Sequence, residues 1–273
     1  MQALALGLSI NSWRAILVAA LIALAAYLAV AYWVLPRLWR HYEHQRGLAG
    51  LTMITLTAQG IPGDPINVGL VGSEEDVVRA FNSAEWFPAD PITLRSSIAI
   101  VGSVLLHRQY RHAPVSPLFF VGRREDLAFE RLVGGSARQR GHIRLWRVLD
   151  KGEEQRPVWL GSATFDQGIG LSHYTGAVTH RIAPDVDAQR DGLIGDLTRA
   201  NMLQAIYLVS GIGSTLTGRN GEGDRYYTDG EVKVGRLVEN GVAATAPPQQ
   251  SEIPQAVLLK LAIWRQIRDL IVD

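Results

Sequence analysis

PVSPLFFVGRREDLAFER, residues 114–131, opens the stretch 114–187 that decides the fold. GHIRLWRVL (141–149) and PVWLGSATFD (157–166) follow, and the stretch ends inside THRIAPDVDAQRD (179–191). The first three segments are rich in β-branched and aromatic residues and are separated by polar or glycine-containing links, which is typical of strands. The last segment places a proline and aspartates at the start of a helix. We therefore expect the centre of the fold, and any functional site, within this stretch.

Strand patterns continue outward on both sides of this stretch. Four more runs are predicted as strands: 51–57, 66–71, 202–209 and 232–238. Three helices are predicted, over 73–84, 90–105 and 184–200. Strands that follow each other directly in the chain favour hairpins. The predicted fold is therefore α+β, with an antiparallel or mixed sheet of about six to eight strands, helices on one face, and one preceding transmembrane helix.

An uncharged run of 22 residues, Ala15 to Pro36, precedes the domain. As an α-helix it would reach about 33 Å, enough to cross a hydrocarbon core of about 30 Å. Trp13, Tyr32 and Trp33 lie near its ends, where aromatic rings settle among lipid headgroups. The run is therefore predicted as a transmembrane helix. A cleavable signal peptide is the alternative, although no basic segment opens the chain and the apolar run is long for one.

The charges that flank this run predict its orientation. Arg37, Arg40 and Arg46 follow it, whereas Arg14 alone precedes it. Because the side richer in lysine and arginine stays in the cytoplasm, we expect a single-pass protein of the cell inner membrane with a cytoplasmic C-terminal part. The same arginines would lie beside anionic headgroups, so the lipid bilayer is the first expected partner.

The sequence divides into six predicted parts. They are a short N-terminal segment (1–14), the transmembrane helix (15–36), a basic juxtamembrane segment (37–48), the α+β domain (49–240), a low-complexity linker (241–252) and an amphipathic helix (253–273). Lys260 interrupts the apolar face of the last helix. This helix is too charged to span a bilayer, so it lies on the bilayer surface or docks against the domain, a second copy or another membrane protein.

Composition excludes several classes of function. Lys and Arg number 27 against 26 Asp and Glu, so the charge typical of a nucleic-acid-binding protein is missing and no nucleic-acid partner is expected. The chain has no cysteine, which rules out disulfides, a thiolate nucleophile and cysteine-bound metal clusters. Neither glycine-rich loop, 211–214 or 218–224, has the sequence of a P-loop or a dinucleotide fingerprint. No motif therefore assigns a reaction.

A group of basic residues is the first candidate site. His142, Arg144 and Trp146 alternate along one face of a predicted strand, so their side chains project together. Four further arginines precede them in the chain: Arg123, Arg124, Arg138 and Arg140. Forked guanidinium groups suit a phosphate group or an anionic lipid headgroup. The alternative is that these arginines only form a solvated, charged sheet edge.

Three aspartates and a histidine form the second candidate site: Asp166, His180, Asp185 and Asp187. Carboxylate and imidazole groups can share a divalent metal cofactor, whose bound water would support hydrolysis, with His142 as a candidate acid or base. Asp185 and Asp187 equally suit a helix N-terminus, where carboxylates cap free N–H groups. Asp166 would then form a turn. A metal site and local capping are therefore both open.

Six segments carry a family resemblance. They are DPINVGLVGSEEDVVRAF (64–81), PVSPLFFVGRREDLAFER (114–131), GHIRLWRV (141–148), VWLGSATFD (158–166), THRIAPDVDAQRD (179–191) and GRNGEGDRYYTDGEV (218–232). In this order they resemble the LssY C-terminal domain family of bacterial membrane-associated proteins, over about residues 50–240. The resemblance implies membrane association and no particular reaction, although relatives can accompany phosphatase-type or transporter-like membrane domains. At Gly141-His142 the family more often has two histidines, which weakens a metal or acid–base role there.

The resulting functional prediction is a membrane-anchored binding or scaffolding module at the cytoplasmic membrane, with anionic lipid headgroups or phosphate groups as its expected ligands. The alternative is a metal-assisted hydrolase of a phosphoester or lipid-derived substrate. The two differ in geometry. Asp and His side chains that converge in one concave pocket would favour the hydrolase, whereas scattered ones would remove its geometric basis.

Overall fold

The computed structural model describes residues 10–30, 48, 50–89, 117–132, 139–174, 176, 178–214 and 216–272. The chain divides into two compact units, Met1–Glu43 and His44–Asp273. The finer six-part division stays a prediction. The helix predicted over 90–105 lies outside the described residues.

Helix α1, Ile10–Ala29, belongs to the first unit. Its side chains are exposed from Trp13 onward. No helix in the described residues is long and apolar enough to cross a membrane. Residues 31–36 of the predicted transmembrane helix lie outside the described residues. So do four of the residues named above as membrane contacts: Tyr32, Trp33, Arg37 and Arg40.

The described part of the second unit contains fifteen strands and three helices. The strands are β1 (Ile54–Thr57), β2 (Pro62–Pro65), β3 (Val68–Val71), β4 (Phe87–Pro88), β5 (Leu118–Phe120), β6 (Arg123–Arg124), β7 (Leu127–Leu132), β8 (Arg140–Leu149), β9 (Val158–Leu171), β10 (Val178–Ile182), β11 (Leu203–Val209), β12 (Thr217–Arg219), β13 (Arg225–Tyr227), β14 (Val232–Leu237) and β15 (Gln249–Gln250). The helices are α2 (Glu74–Ser83), α3 (Val186–Arg199) and α4 (Gln255–Val272).

A nine-stranded mixed sheet organises this unit. Its order is β15-β11-β14-β3-β9-β8-β7-β4, and β10 pairs with β9 beside this path. The pairs β3–β14 and β11–β15 are parallel, and the other neighbours are antiparallel. A four-stranded sheet, β2-β1-β5-β6, and a two-stranded ribbon, β12-β13, complete the strands. The α+β class with a mixed sheet is confirmed, but the predicted count of about six to eight strands is too low.

The sequence pattern does not predict several of these strands, for two physical reasons. Strands of two or three residues, such as β4 and β13, are too short to show an alternation of apolar and polar residues. β2 reads PGDP, which predicts a turn. It is nevertheless an edge strand of its sheet, the position where proline is tolerated.

The two faces of the nine-stranded sheet pack against different layers. Successive residues of a strand point to opposite faces, so Leu145 belongs to one hydrophobic cluster and Trp146 to the other. The first cluster includes Phe81 of α2 and Leu197 of α3. The second includes Phe120 of β5, from the four-stranded sheet. The large sheet is therefore the middle layer, with α2 and α3 on one side and the small sheet on the other.

Helix α4 docks against its own unit. Val257 and Trp264 are buried, at 1% and 4% exposure. Nζ of Lys260 lies 2.6 Å from Oε1 of Glu231, whose side chain is fully buried. Lys260, which interrupts the apolar face in sequence, therefore supplies the cation for a buried carboxylate. Leu259 on the same helix is left exposed.

Asn67, between β2 and β3, joins three elements. Its Nδ2 donates to the carbonyl oxygens of Ala163 (3.0 Å) and Val186 (3.0 Å), and its Oδ1 accepts from the N–H of Ala163 (2.9 Å). Its backbone N–H donates to the oxygen of Gly161 (3.0 Å), and its backbone oxygen accepts from the N–H of Lys233 (3.2 Å). This buried residue thus links β9, β14 and the start of α3, with its donors and acceptors satisfied.

Replacing Asn67 with Ala should lower the free energy of unfolding by about 2–4 kcal/mol, because buried backbone groups of Ala163 and Val186 lose their partner. Urea denaturation of the full chain, followed by tryptophan fluorescence, measures the change. Asn82→Ala, at an exposed position of α2, is the matched control and should stay within about 0.5 kcal/mol of wild type. An Asn67→Ala variant as stable as that control would contradict the linking role.

Candidate functional site

Polar side chains line one face of the β8–β9 pair. Three residues of β8 lie opposite three of β9: Arg140 opposite Asp166, His142 opposite Thr164, and Arg144 opposite Ser162. Because alternate residues of a strand share a face, all six lie on the side of the sheet that carries Trp146. We call these six residues the polar stripe. Five of them are buried, and Arg140 is half-buried.

Charged groups of the polar stripe are paired. Nε2 of His142 lies 2.8 Å from Oδ2 of Asp166, although the angle is not that of a hydrogen bond. Nη1 of Arg144 lies 3.5 Å from Oδ2 of Asp64, which β2 places over the stripe. Burial raises the pKa of the Asp64 carboxyl; the guanidinium of Arg144 partly offsets this, and the charge of Asp166 adds to it. The stripe is therefore a buried charge network with a candidate acid or base, His142, beside a carboxylate.

The polar stripe has little room for a ligand. A cavity of about 10 Å³ lies beside His142, Arg144 and Glu125. This volume holds about one water molecule. The space beside His142 is therefore enough for a water molecule, whereas an organic substrate would require the covering strands to move.

The described arginines of the first candidate site each face a carboxylate. The pairs are Arg123–Asp126, Arg124–Glu125, Arg140–Glu130 and Arg144–Asp64. Arg138 lies outside the described residues. An anion arriving at these arginines would share each guanidinium with a carboxylate of the protein, which reduces the net gain of the new contact. Anion binding by this group stays a prediction.

The residues predicted for a metal site have different local roles. Asp166 belongs to the polar stripe, Asp185 caps α3, and Asp187 pairs with Arg190, whose Nη1 lies 3.1 Å from its Oδ1. His180 lies in β10, opposite a residue of β9. Among the described residues, no group of three His, Asp or Glu side chains is arranged to hold a metal ion. A divalent metal therefore stays a prediction from sequence.

Arg190 of α3 is the centre of a buried ionic cluster that sequence reasoning missed. Its Nη1 and Nη2 lie 2.9 and 3.0 Å from the two carboxylate oxygens of Asp229, a bidentate pair. Its Nη1 also donates to Asp187 (3.1 Å), and its Nε donates to Asp191 (2.9 Å). Asp187 accepts a further hydrogen bond from the hydroxyl of Thr228 (2.8 Å). The cluster fixes the first turn of α3 to the loop between β13 and β14.

Three carboxylates share one guanidinium in this cluster, and the pKa values of two of them, Asp187 and Asp191, shift in opposite directions. Burial raises the pKa of Asp187 to about 6; Arg190 opposes this and Asp229 adds to it. Partial burial would also raise the pKa of Asp191, but Arg190 and Lys233 together lower it. Burial disfavours the charge of Arg190, yet its hydrogen bond to Asp229 and its neighbouring carboxylates raise its pKa. The cluster therefore disfavours the negative charge of Asp187, which is protonated more readily than an ordinary aspartate.

The sequence indicates one contact of this cluster, the pair of Asp187 and Arg190. Asp187 and Arg190 are three residues apart, the spacing at which side chains of one helix meet. Asp229 gave no signal, because nothing in its turn sequence indicates which helix it meets. The pairing of Asp64 with Arg144 could not be predicted for the same reason, because the segment around Asp64 predicts only a turn.

The described part of the second unit defines a class: an α+β domain with a central mixed sheet, whose buried charges are largely paired within the fold. The family model described as LssY C-terminus matches residues 45–232. The chain therefore belongs to the LssY C-terminus family, as its sequence segments indicate. No curated protein and no solved structure matches the chain.

Asp187→Asn should alter how stability depends on pH. The pKa of Asp187 is about 6 in the folded state against an ordinary value of 3.8, so the folded protein holds this proton more tightly than the unfolded chain. That contribution to stability is present at low pH and is lost as the pH rises from about 4 to 6. The unfolding free energy of wild type relative to the variant should fall by about 1–3 kcal/mol over this range. Urea denaturation at a series of pH values measures it.

Asp191→Asn is the control for this experiment. The pKa of Asp191 is lowered, so its contribution is present above the unfolded pKa and is lost only as the pH falls through the folded value. The difference between wild type and Asp191→Asn should therefore stay level from about pH 5 to 7. Parallel pH profiles for wild type and Asp187→Asn would show that Asp187 does not titrate as stated.

Proposed function

We propose that the chain is a membrane-anchored binding or scaffolding module, held at the inner membrane by residues 15–36 with its α+β domain in the cytoplasm. The observation that carries this proposal is the exposure of α1. Nine large apolar side chains of α1 are exposed: Trp13, Ile16, Leu17, Val18, Leu21, Ile22, Leu24, Tyr27 and Leu28. Alanines fill the rest of its circumference from residue 15 onward. A helix that is apolar on all sides needs an apolar environment around it.

A lipid bilayer is the proposed environment of this helix. The uncharged run continues beyond α1 to Pro36, which brings its length as a helix to about 33 Å, close to the hydrocarbon thickness. Trp13 stands at one end and Arg37 and Arg40 follow the other, an arrangement suited to headgroups on both sides. The basic side supports a cytoplasmic position for the α+β domain.

The domain's internal charge pairing supports binding or scaffolding over catalysis. Asp185 and Asp187, two of the four metal candidates, already cap α3 and pair with Arg190. The cavity beside His142 has a volume of only about 10 Å³. A metal-assisted hydrolase would need these groups to be released and brought together, so it is the weaker proposal.

Ile22→Arg combined with Leu24→Arg should release the chain from the membrane, because each arginine at a helix centre costs about 2.5–3.5 kcal/mol in bilayer insertion. Wild type should stay in the membrane pellet after a carbonate wash, and the double variant should move to the supernatant. The matched control is Leu259→Arg with Ile263→Arg, which changes two exposed apolar residues of α4 and should leave the chain in the pellet. Wild type recovered in the supernatant would overturn the anchor. Release by the α4 variant alone would move the membrane contact to α4.

Thiol labelling tests the orientation separately. Because the chain lacks cysteine, a single introduced cysteine is the one thiol that the reagent can label. Lys151→Cys places a single thiol at an exposed position in the turn between β8 and β9. A membrane-impermeant thiol reagent should label it only after the cells are permeabilised. Labelling in intact spheroplasts would reverse the proposed topology.

A further inference from the structure

A cavity of about 300 Å³ lies beside the β12–β13 ribbon and is also lined by Pro184. In the ribbon, Thr217 pairs with Tyr227 and Arg219 pairs with Arg225. Directly opposed residues share a face, as do alternate residues of one strand. These four side chains therefore lie on one face of the ribbon. All four residues line the cavity, as do Gly218 and Tyr226 between them.

The two arginines of this face differ from the arginines described above. In the described part of the chain, no carboxylate lies within salt-bridge distance of Arg219 or Arg225. Both arginines are exposed, and Arg219 donates from Nη1 to the backbone oxygen of Gly223 (2.6 Å). Like charges directly opposite each other on paired strands are destabilising, by roughly 0.2–1 kcal/mol. An anion between the two guanidinium groups would remove this repulsion.

The ribbon is fixed in place by its other face and its edge. Tyr226 is 2% exposed and packs in a small cluster with Ile182 and Val186. The N–H of Tyr227 donates to the backbone oxygen of Pro184 at 2.8 Å. The arginines therefore extend from a preorganised frame, which lowers the entropic cost of binding a ligand there.

We propose that this cavity binds a phosphate monoester, with the phosphoryl group between Arg219 and Arg225. A phosphate monoester carries a charge of about −1.5 to −2 and three acceptor oxygens, which two forked guanidinium groups match better than they match a singly charged carboxylate. The cavity volume is at the lower end of small-ligand pockets, so an organic group fits beside the phosphate. The rings of Pro184 and Tyr227 offer it an apolar wall.

This inference names a ligand for the binding role proposed above and rests on that role. The two are tested on different observables. Ligand uptake tests the cavity, whereas carbonate extraction tests the anchor, so either can fail while the other stands.

Calorimetric titration of the full chain in a non-ionic detergent tests the cavity in two arms. One arm uses glycerol 3-phosphate, a soluble phosphate monoester. The other uses short-chain phosphatidic acid in the same micelles, with short-chain phosphatidylcholine as the lipid that lacks a monoester. Arg219→Gln and Arg225→Gln should each weaken binding at least tenfold. Arg265→Gln, which removes an exposed arginine of α4 outside the cavity, should stay within twofold of wild type.

Each outcome decides the proposal. Uptake of glycerol 3-phosphate with the tenfold losses assigns a free phosphate monoester, and uptake of phosphatidic acid alone assigns a lipid headgroup. No uptake in either arm, or equal affinity in the arginine variants, overturns the site. The melting temperatures of both cavity variants without ligand should stay close to that of wild type, because both residues are exposed and the removed repulsion offsets the lost hydrogen bond from Arg219 to Gly223. This measurement separates lost binding from lost folding.

Discussion

The antiparallel pairing of β8 with β9 is the interaction on which the rest of the structure depends. These strands run for ten and fourteen residues, longer than the other described strands. Their register sends Ile143 and Ala163 towards the helices, and Arg144 and Ser162 towards the small sheet. A shift of one residue would place charged side chains in the helix-packed core and apolar ones under β2, so the register is strongly specified.

Most of the domain's buried charge is balanced internally. Asp64 and Arg144 face each other across two sheets, Arg190 holds three carboxylates, and Glu231 is neutralised from α4. Buried ion pairs contribute less to stability than their number suggests, because each charge loses its hydration. What they contribute here is the fixed placement of elements that lie far apart in sequence. The arginine pair of the ribbon differs from these groups in being exposed.

The sequence predicted the features whose signals are local. Alternation located the longer strands. The helix predicted over 73–84 is α2, and the hydroxyl of Ser73 caps it by accepting from the N–H of Asp76 (3.1 Å). The sequence did not predict contacts between residues that lie far apart in the chain. Asp187 looked like a cap or a metal ligand because the sequence does not show that Thr228 and Asp229 return to it. Likewise, the opposition of Arg219 and Arg225 follows from a hairpin register that the glycine-rich loop sequence leaves open.

The parallel pairing of β3 with β14 has a consequence for the order of folding. Val68 lies opposite Lys233, so the middle of the sheet joins the early and late parts of the domain. Closing so long a loop must precede the gain from the contacts it allows, which slows folding. During synthesis, β3 has no neighbour on that side until β14 has left the ribosome. The nascent domain thus passes through an interval with an unpaired hydrophobic strand edge, the kind of intermediate that chaperones shield.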